Sequence, residues 1–92
     1  MTTKIILIQL SKNFRRQYKK LPKKVQNQAT IRITAWQKDP SHVQFHDHQL
    51  KGDYVAYRSI NITGDVRALY YLREDGTAVI FAFIGTHSQL YG

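Results

Sequence analysis

The chain has 92 residues, enough for one domain, and its 42% hydrophobic content excludes a disordered polymer. It has no cysteine, which excludes a disulfide framework and a thiolate zinc site. Fourteen Lys and Arg against six Asp and Glu give a net charge of +8 and a pI near 10.0. A small domain this basic typically meets a polyanion: nucleic acid, the ribosome, an acidic protein or an anionic membrane surface.

The apolar run Ile5-Ile6-Leu7-Ile8 is too short for a signal core or a membrane span, so no membrane is expected and the expected location is the cytoplasm. Lys4 to Gln9 reads as a strand whose near-continuous apolar pattern suits burial on both faces. Ser11 is an N-cap signal for a helix from Lys12 to about Leu21, with Phe14, Tyr18 and Leu21 as its apolar stripe. Pro22 ends that helix or opens the next one. The second helix runs from about Lys23 to Lys38, with Val25, Ala29, Arg32 or Ile33, and Trp36 near one face. Asp39-Pro40 stops it, because the residue before proline avoids the helical region. The very short connection predicts an antiparallel helical hairpin.

Ser41 to Gly52 reads as a loop holding three histidines. Tyr54 to Ile62 reads as a strand, followed by a turn at Thr63-Gly64-Asp65 in which Gly64 suits positive φ. Val66 to Arg73 is the next strand and Glu74-Asp75-Gly76 the next turn. Thr77 to Ile84 is the last strand, with Val79, Phe81 and Phe83 on a shared face. Gly85 to Tyr91 leaves the sheet as a tail or single helical turn. The order β-α-α-β-β-β predicts one α+β domain over residues 1–92, with two helices packed on a mostly antiparallel sheet.

His42, His46 and His48, with Asp47 nearby, are the residue types of a divalent-metal site. No further ligand completes a known spacing, a solvated loop is the simpler reading, and no metal or other cofactor is expected. A phosphodiester reading fits better. Cutting RNA needs a base for the 2′-hydroxyl proton, a cation for the phosphorane charge and an acid for the departing 5′-oxygen. His48, Asp65 and His87 supply the proton-transfer types, and Arg58 and Arg67 supply the cation. Lys19, Lys20 and Lys51 add positive charge for a phosphate backbone. Plain structural roles compete: Asp65 suits a turn, His87 a cap, His48 an ordered loop and Tyr91 packing. Arg58 and Arg67 share a sheet face if the loop between their strands has two residues, and like charges there are costly without an anion between them.

The segment Asp47-His48-x-Leu50-x-Gly52-x-Tyr54, then Tyr57-Arg58, Asp65 and Tyr70, and finally Gly85-Thr86-His87-x-x-Leu90-Tyr91-Gly92 resembles the YafQ branch of the RelE/ParE toxin superfamily. The resemblance implies a RelE-like fold and the toxin of a type II toxin–antitoxin pair. It implies a metal-independent mRNA endoribonuclease that enters the ribosomal A site and cuts the message there. It also implies a toxin that is monomeric by itself and masked by a co-encoded antitoxin, expected to be acidic and to fold on contact. By position, the catalytic set carries over to His48, Asp65 and His87, with Tyr91 as the terminal aromatic; His87 is then the general acid and His48 or Asp65 the base. The chain departs from the branch in three places. Asn61 stands where the branch has a further histidine, and it can hydrogen-bond a phosphate but cannot titrate. Val66 replaces an aromatic and Phe83 an arginine, a charge that Arg67 restores from the neighbouring strand. Two other expectations stand beside the nuclease: a ParE-like inhibitor that binds DNA gyrase, and a non-catalytic nucleic-acid-binding module.

Overall fold

The structure, a computed structural model, describes residues 6–91. Strand β1 (Leu7–Leu10) leads directly into helix α1 (Lys12–Lys20). The Ser11 hydroxyl caps α1 by accepting from the Phe14 N–H at 3.0 Å, and it donates to the Ala82 carbonyl at 2.7 Å. One residue thus starts the helix and ties it to the sheet. Leu21 and Pro22 reverse the chain into α2 (Lys23–Lys38), which ends at Asp39 as proline chemistry requires. The Tyr18 hydroxyl donates to the Gln26 carbonyl at 3.2 Å, closing the expected helical hairpin.

The chain continues as β2 (His48–Gln49), β3 (Arg58–Asn61), β4 (Val66–Leu72), β5 (Ala78–Thr86) and a terminal helix α3 (His87–Tyr91). The five strands form one sheet in the order β1-β5-β4-β3-β2, antiparallel except for the parallel β1–β5 pair. Both long helices cover one face. Phe14, Ala29 and Trp36 meet Ile60, Ile62, Ala68, Tyr70, Phe81 and Ile84 there. Trp36 stands edge-on to Phe81 at 5.4 Å and tilted over Tyr70 at 4.8 Å. Such ring pairs each add about 0.5–1.5 kcal/mol beyond their burial.

The α+β architecture is as expected, but five local expectations are corrected. The first strand lies at a sheet edge and leaves Leu7 59% and Leu10 38% exposed, because it has only β5 as a neighbour; Lys4 and Ile5 of the expected strand lie outside the described residues. The expected strand from Tyr54 shrinks to Arg58–Asn61. Gly52, in the left-handed region at φ +66°, bends Gly52–Tyr54 into a 3-10 turn, and the chain before it supplies the fifth strand, β2. Gly64 does not use positive φ; instead the Thr63 hydroxyl accepts from the N–H groups of Asp65 and Val66 and closes the turn. That loop has three residues, since Ile62 and Val66 still pair through the backbone at 2.9 Å. Asn61 therefore faces Arg67, while Arg58 pairs with Tyr70, so Arg58 and Arg67 project from opposite faces.

The fifth correction concerns β5. Between the Leu69–Phe83 and Tyr70–Phe81 pairs it holds one extra residue, Ala82, a β-bulge where α1 docks. The bulge reverses the alternation. Val79 and Phe81 join the core under the helices, whereas Phe83 packs on Tyr57 on the other face, at 5.5 Å between rings.

Candidate active site

The face away from the helices carries the candidate site. Strand pairing places His48 opposite Ser59, and the same face receives Asn61 and Arg67. Helix α3 folds over this face from the end of β5. Its start is a capping box: the Thr86 hydroxyl accepts from the Gln89 N–H at 3.1 Å, and the Gln89 side chain accepts from the Thr86 N–H at 2.8 Å. Gly85 lets the turn close, because a Cβ there would lie 2.9 Å from Gln89 Oε1. Tyr54 fixes the other end of α3, donating from its hydroxyl to the Leu90 carbonyl at 2.7 Å. The Tyr54 ring meets Tyr91 edge-on at 5.1 Å, and Tyr91 lies 4.7 Å from the His87 ring.

The result is a shallow cavity of about 270 Å³ lined by His48, Leu50, Ser59, Arg67, His87 and Tyr91. It brings two imidazoles, one guanidinium and one phenol to a single opening. Arg67 braces its own hairpin, donating to the carbonyls of Thr63 at 3.0 Å and Gly64 at 3.3 Å, and has no carboxylate partner among the described residues. Burial raises the Tyr91 hydroxyl above its ordinary pKa, while Ser59 and the Arg67 charge pull it down. Tyr91 is therefore a neutral hydrogen-bonding group at physiological pH. His48 Nδ1 lies 2.8 Å from the His46 carbonyl oxygen.

Other residues singled out in the sequence lie elsewhere. Asp65 sits exposed at the tip of the β3–β4 turn and does not line the cavity. Lys51 is exposed in the loop after β2. Lys19 and Lys20 end α1 and join Lys12, Arg15 and Arg16 in a basic groove on the helical layer, across the sheet from the cavity. Asn61 shares the cavity's face, but its Oδ1 is buried without a hydrogen-bond partner. The histidines of the loop do not gather as a trio: His42 accepts from the Gln44 N–H through Nδ1, whereas the His46 and His48 rings lie 4.7 Å apart and His48 lines the cavity. Among the described residues, no group of three or more His, Asp or Glu side chains is placed to hold a metal ion.

Arg58 serves a different centre. Its Nε donates to Asp47 Oδ1 at 2.8 Å, and this bond is the main cause holding the guanidinium pKa above its ordinary value. The other oxygen of Asp47 accepts from Trp36 Nε1 at 3.0 Å and from the Tyr70 hydroxyl at 2.6 Å. Three donors offset the cost of placing a carboxylate, only 13% exposed, against the core. The sequence signal for this latch was weak, since an Asp beside histidines reads first as a ligand. Ser59 was also missed; its alignment opposite His48 becomes visible only once β2 exists as a strand.

A search of curated proteins finds no match to this chain. Among solved structures the chain is similar to YafQ from E. coli strain BL21(DE3), with 23% identity and a TM-score of 0.77, covering 95% of this chain and 99% of that one. A conserved hypothetical protein of Helicobacter pylori aligns with 28% identity and a TM-score of 0.68, over 94% of this chain and 99% of that one. The E. coli DinJ-YafQ toxin-antitoxin complex aligns with 23% identity and a TM-score of 0.75, over 96% of this chain and 99% of that one. The profile of the family described as "Bacterial toxin of type II toxin-antitoxin system, YafQ" matches residues 6–92. With its cavity set on a RelE-type sheet, the chain belongs to the YafQ family of bacterial type II toxins.

Proposed function

We propose that this toxin is a ribosome-dependent endoribonuclease that cuts translated mRNA in the A site by metal-independent acid–base chemistry. The observation that carries the reading is the convergence of His48, Arg67 and His87 on one open cavity. In this mechanism a base takes the proton of a ribose 2′-hydroxyl. The 2′-oxygen bonds to phosphorus, and the bond from phosphorus to the 5′-oxygen breaks. The Arg67 guanidinium holds the phosphorane charge. His87 gives its proton to the leaving 5′-oxygen, so the products are a 2′,3′-cyclic phosphate and a 5′-hydroxyl. Tyr91 donates a hydrogen bond to the phosphate or stacks on a base. Lys51, exposed outside the cavity, contacts the phosphate backbone of the message or of ribosomal RNA.

The net charge of +8 supports docking on ribosomal RNA, where exposed Lys and Arg give strong, salt-sensitive affinity. The same charge suits an acidic antitoxin that folds over the toxin, and the E. coli DinJ-YafQ toxin-antitoxin complex supports the presence of a cognate antitoxin. The test is induction of wild type beside His87→Ala, with primer extension on a reporter mRNA. Growth arrest with in-frame cuts in wild type, both absent in His87→Ala, is the expected result. Arrest in both strains without cuts overturns the nuclease reading and makes gyrase the next target to assay.

A further inference from the structure

His46 is the one non-glycine residue with positive φ among the described residues, at φ 46° and ψ 46°. A side chain in that left-handed region costs about 1 kcal/mol or more and persists only where the surroundings over-determine it. Those surroundings are the neighbours on either side. Upstream, the His46 N–H donates to the Val43 carbonyl at 3.1 Å and closes a 3-10 turn whose Phe45 is buried. Downstream, Asp47 is held by Trp36, Arg58 and Tyr70, from three different elements.

The consequence falls on His48. Along this extended stretch successive side chains alternate, so Asp47 enters the helix-covered core and His48 emerges on the cavity face. The bend at His46 turns its carbonyl oxygen back onto His48 Nδ1 at 2.8 Å. A carbonyl oxygen only accepts, so Nδ1 must carry the hydrogen. In a neutral ring the lone pair then sits on Nε2, the nitrogen free of this contact.

We propose that His46 and Asp47 are positioning residues that lock His48 as its Nδ1–H tautomer and present Nε2 as the acceptor for the 2′-hydroxyl proton. This rests on the endoribonuclease reading and deepens it. It assigns the base to His48 rather than to Asp65, whose carboxylate lies at the exposed turn, and leaves His87 as the acid. The remaining polar neighbours of the His48 ring are the His46 ring at 4.7 Å, Ser59 opposite it on β3 and, across the cavity, Arg67, His87 and Tyr91; among the described residues the His46 carbonyl makes the one side-chain hydrogen bond of His48. None of them replaces the His46 carbonyl as the acceptor at Nδ1.

The tautomer is read directly by long-range ¹H–¹⁵N correlation spectra of the labelled full chain, recorded with pH raised until the His48 signals no longer move. The expected result is a pyrrole-like Nδ1 and a pyridine-like Nε2 for His48. His46→Gly, which adopts φ 46° freely, keeps that pattern although it removes the neighbouring ring. His46→Val, whose branched side chain resists the left-handed region, loses it and lowers kcat roughly ten- to a hundredfold at unchanged KM. If His46→Val fails to fold, Asp47→Asn, of the same shape but without the charge that Arg58 pairs with, is expected to shift the pattern likewise. An Nε2–H tautomer in wild type, or an Nδ1–H pattern that persists in the folded His46→Val and Asp47→Asn proteins, overturns the proposal. An Nδ1–H pattern in a wild-type protein that cuts no ribosome-bound mRNA refutes the nuclease reading while the tautomer assignment stands.

Discussion

The two faces of the sheet follow different rules. The helix-covered face is largely apolar and built from ring contacts around Trp36 and Phe81, with the Asp47 carboxylate held against those rings. The opposite face is a mosaic: His48 comes from β2, Ser59 from β3, Arg67 from β4, and His87 and Tyr91 from α3. The first face is specified by periodicity within each element, the second by alignment between elements. Stability therefore concentrates on one side and candidate chemistry on the other, and substitutions should separate the two.

The largest expected effect is Phe81→Ala, which opens a void between Phe14, Trp36 and Tyr70 and should cost about 3–5 kcal/mol by urea denaturation, with activity lost through unfolding. His87→Ala should do the converse, lowering mRNA cleavage about 10²–10⁴-fold while stability stays within about 0.5 kcal/mol. A large stability loss in His87→Ala would break the division between faces. Gly85→Ala tests the seam between them. The added methyl meets Gln89 Oε1 and disrupts the capping box of α3, which should cost about 1–2 kcal/mol and weaken cleavage without unfolding the sheet. Amide exchange of residues 87–91 should rise with it.

The smallest effect is expected for Tyr70→Phe, which removes one of three donors to Asp47 and should cost about 1 kcal/mol near neutral pH. Its pH dependence sharpens the point. Burial, then the bond to Asp47, holds the Tyr70 hydroxyl pKa well above its ordinary 10.0. The neutral phenol is thus favoured by folding. Its contribution is complete below pH 10 and declines as pH rises toward the raised native value, because the unfolded chain releases that proton first. Wild type should lose stability more steeply than Tyr70→Phe in alkaline urea titrations; equal slopes would remove Tyr70 from the network.

The sequence exposed the helix-covered face more fully than the other. Ser11, Pro22 and Asp39-Pro40 marked the helix limits through local capping and proline chemistry. Phe14, Ala29 and Trp36 fell on the buried stripes because a helix carries its own period. The site residues His48, Arg67, His87 and Tyr91 were named from their chemistry and from the family resemblance, and they do share one cavity. What escaped was register. A three-residue rather than two-residue loop sent Arg58 to the opposite face, and a single extra residue in β5 moved Phe83 away from Phe81. Neither shift changes composition or period enough to be seen in one sequence. The capping box Thr86-x-x-Gln89 was legible in principle, but a five-residue helix offers too little periodicity to prompt the search.

The bulge at Ala82 acts as a phase shifter. Upstream of it β5 presents Val79 and Phe81 toward the helices; downstream it presents Phe83 and then Gly85 on the opposite face, the one that carries the cavity. One strand thereby belongs to both sides in succession, with the changeover set by a single residue. Deleting Ala82 would leave the chemical identity of every site residue untouched and still rotate the strand's end by half a turn. The terminal helix would then launch from the wrong side of the sheet, and the cavity would lose its lid although no residue of the cavity had been altered.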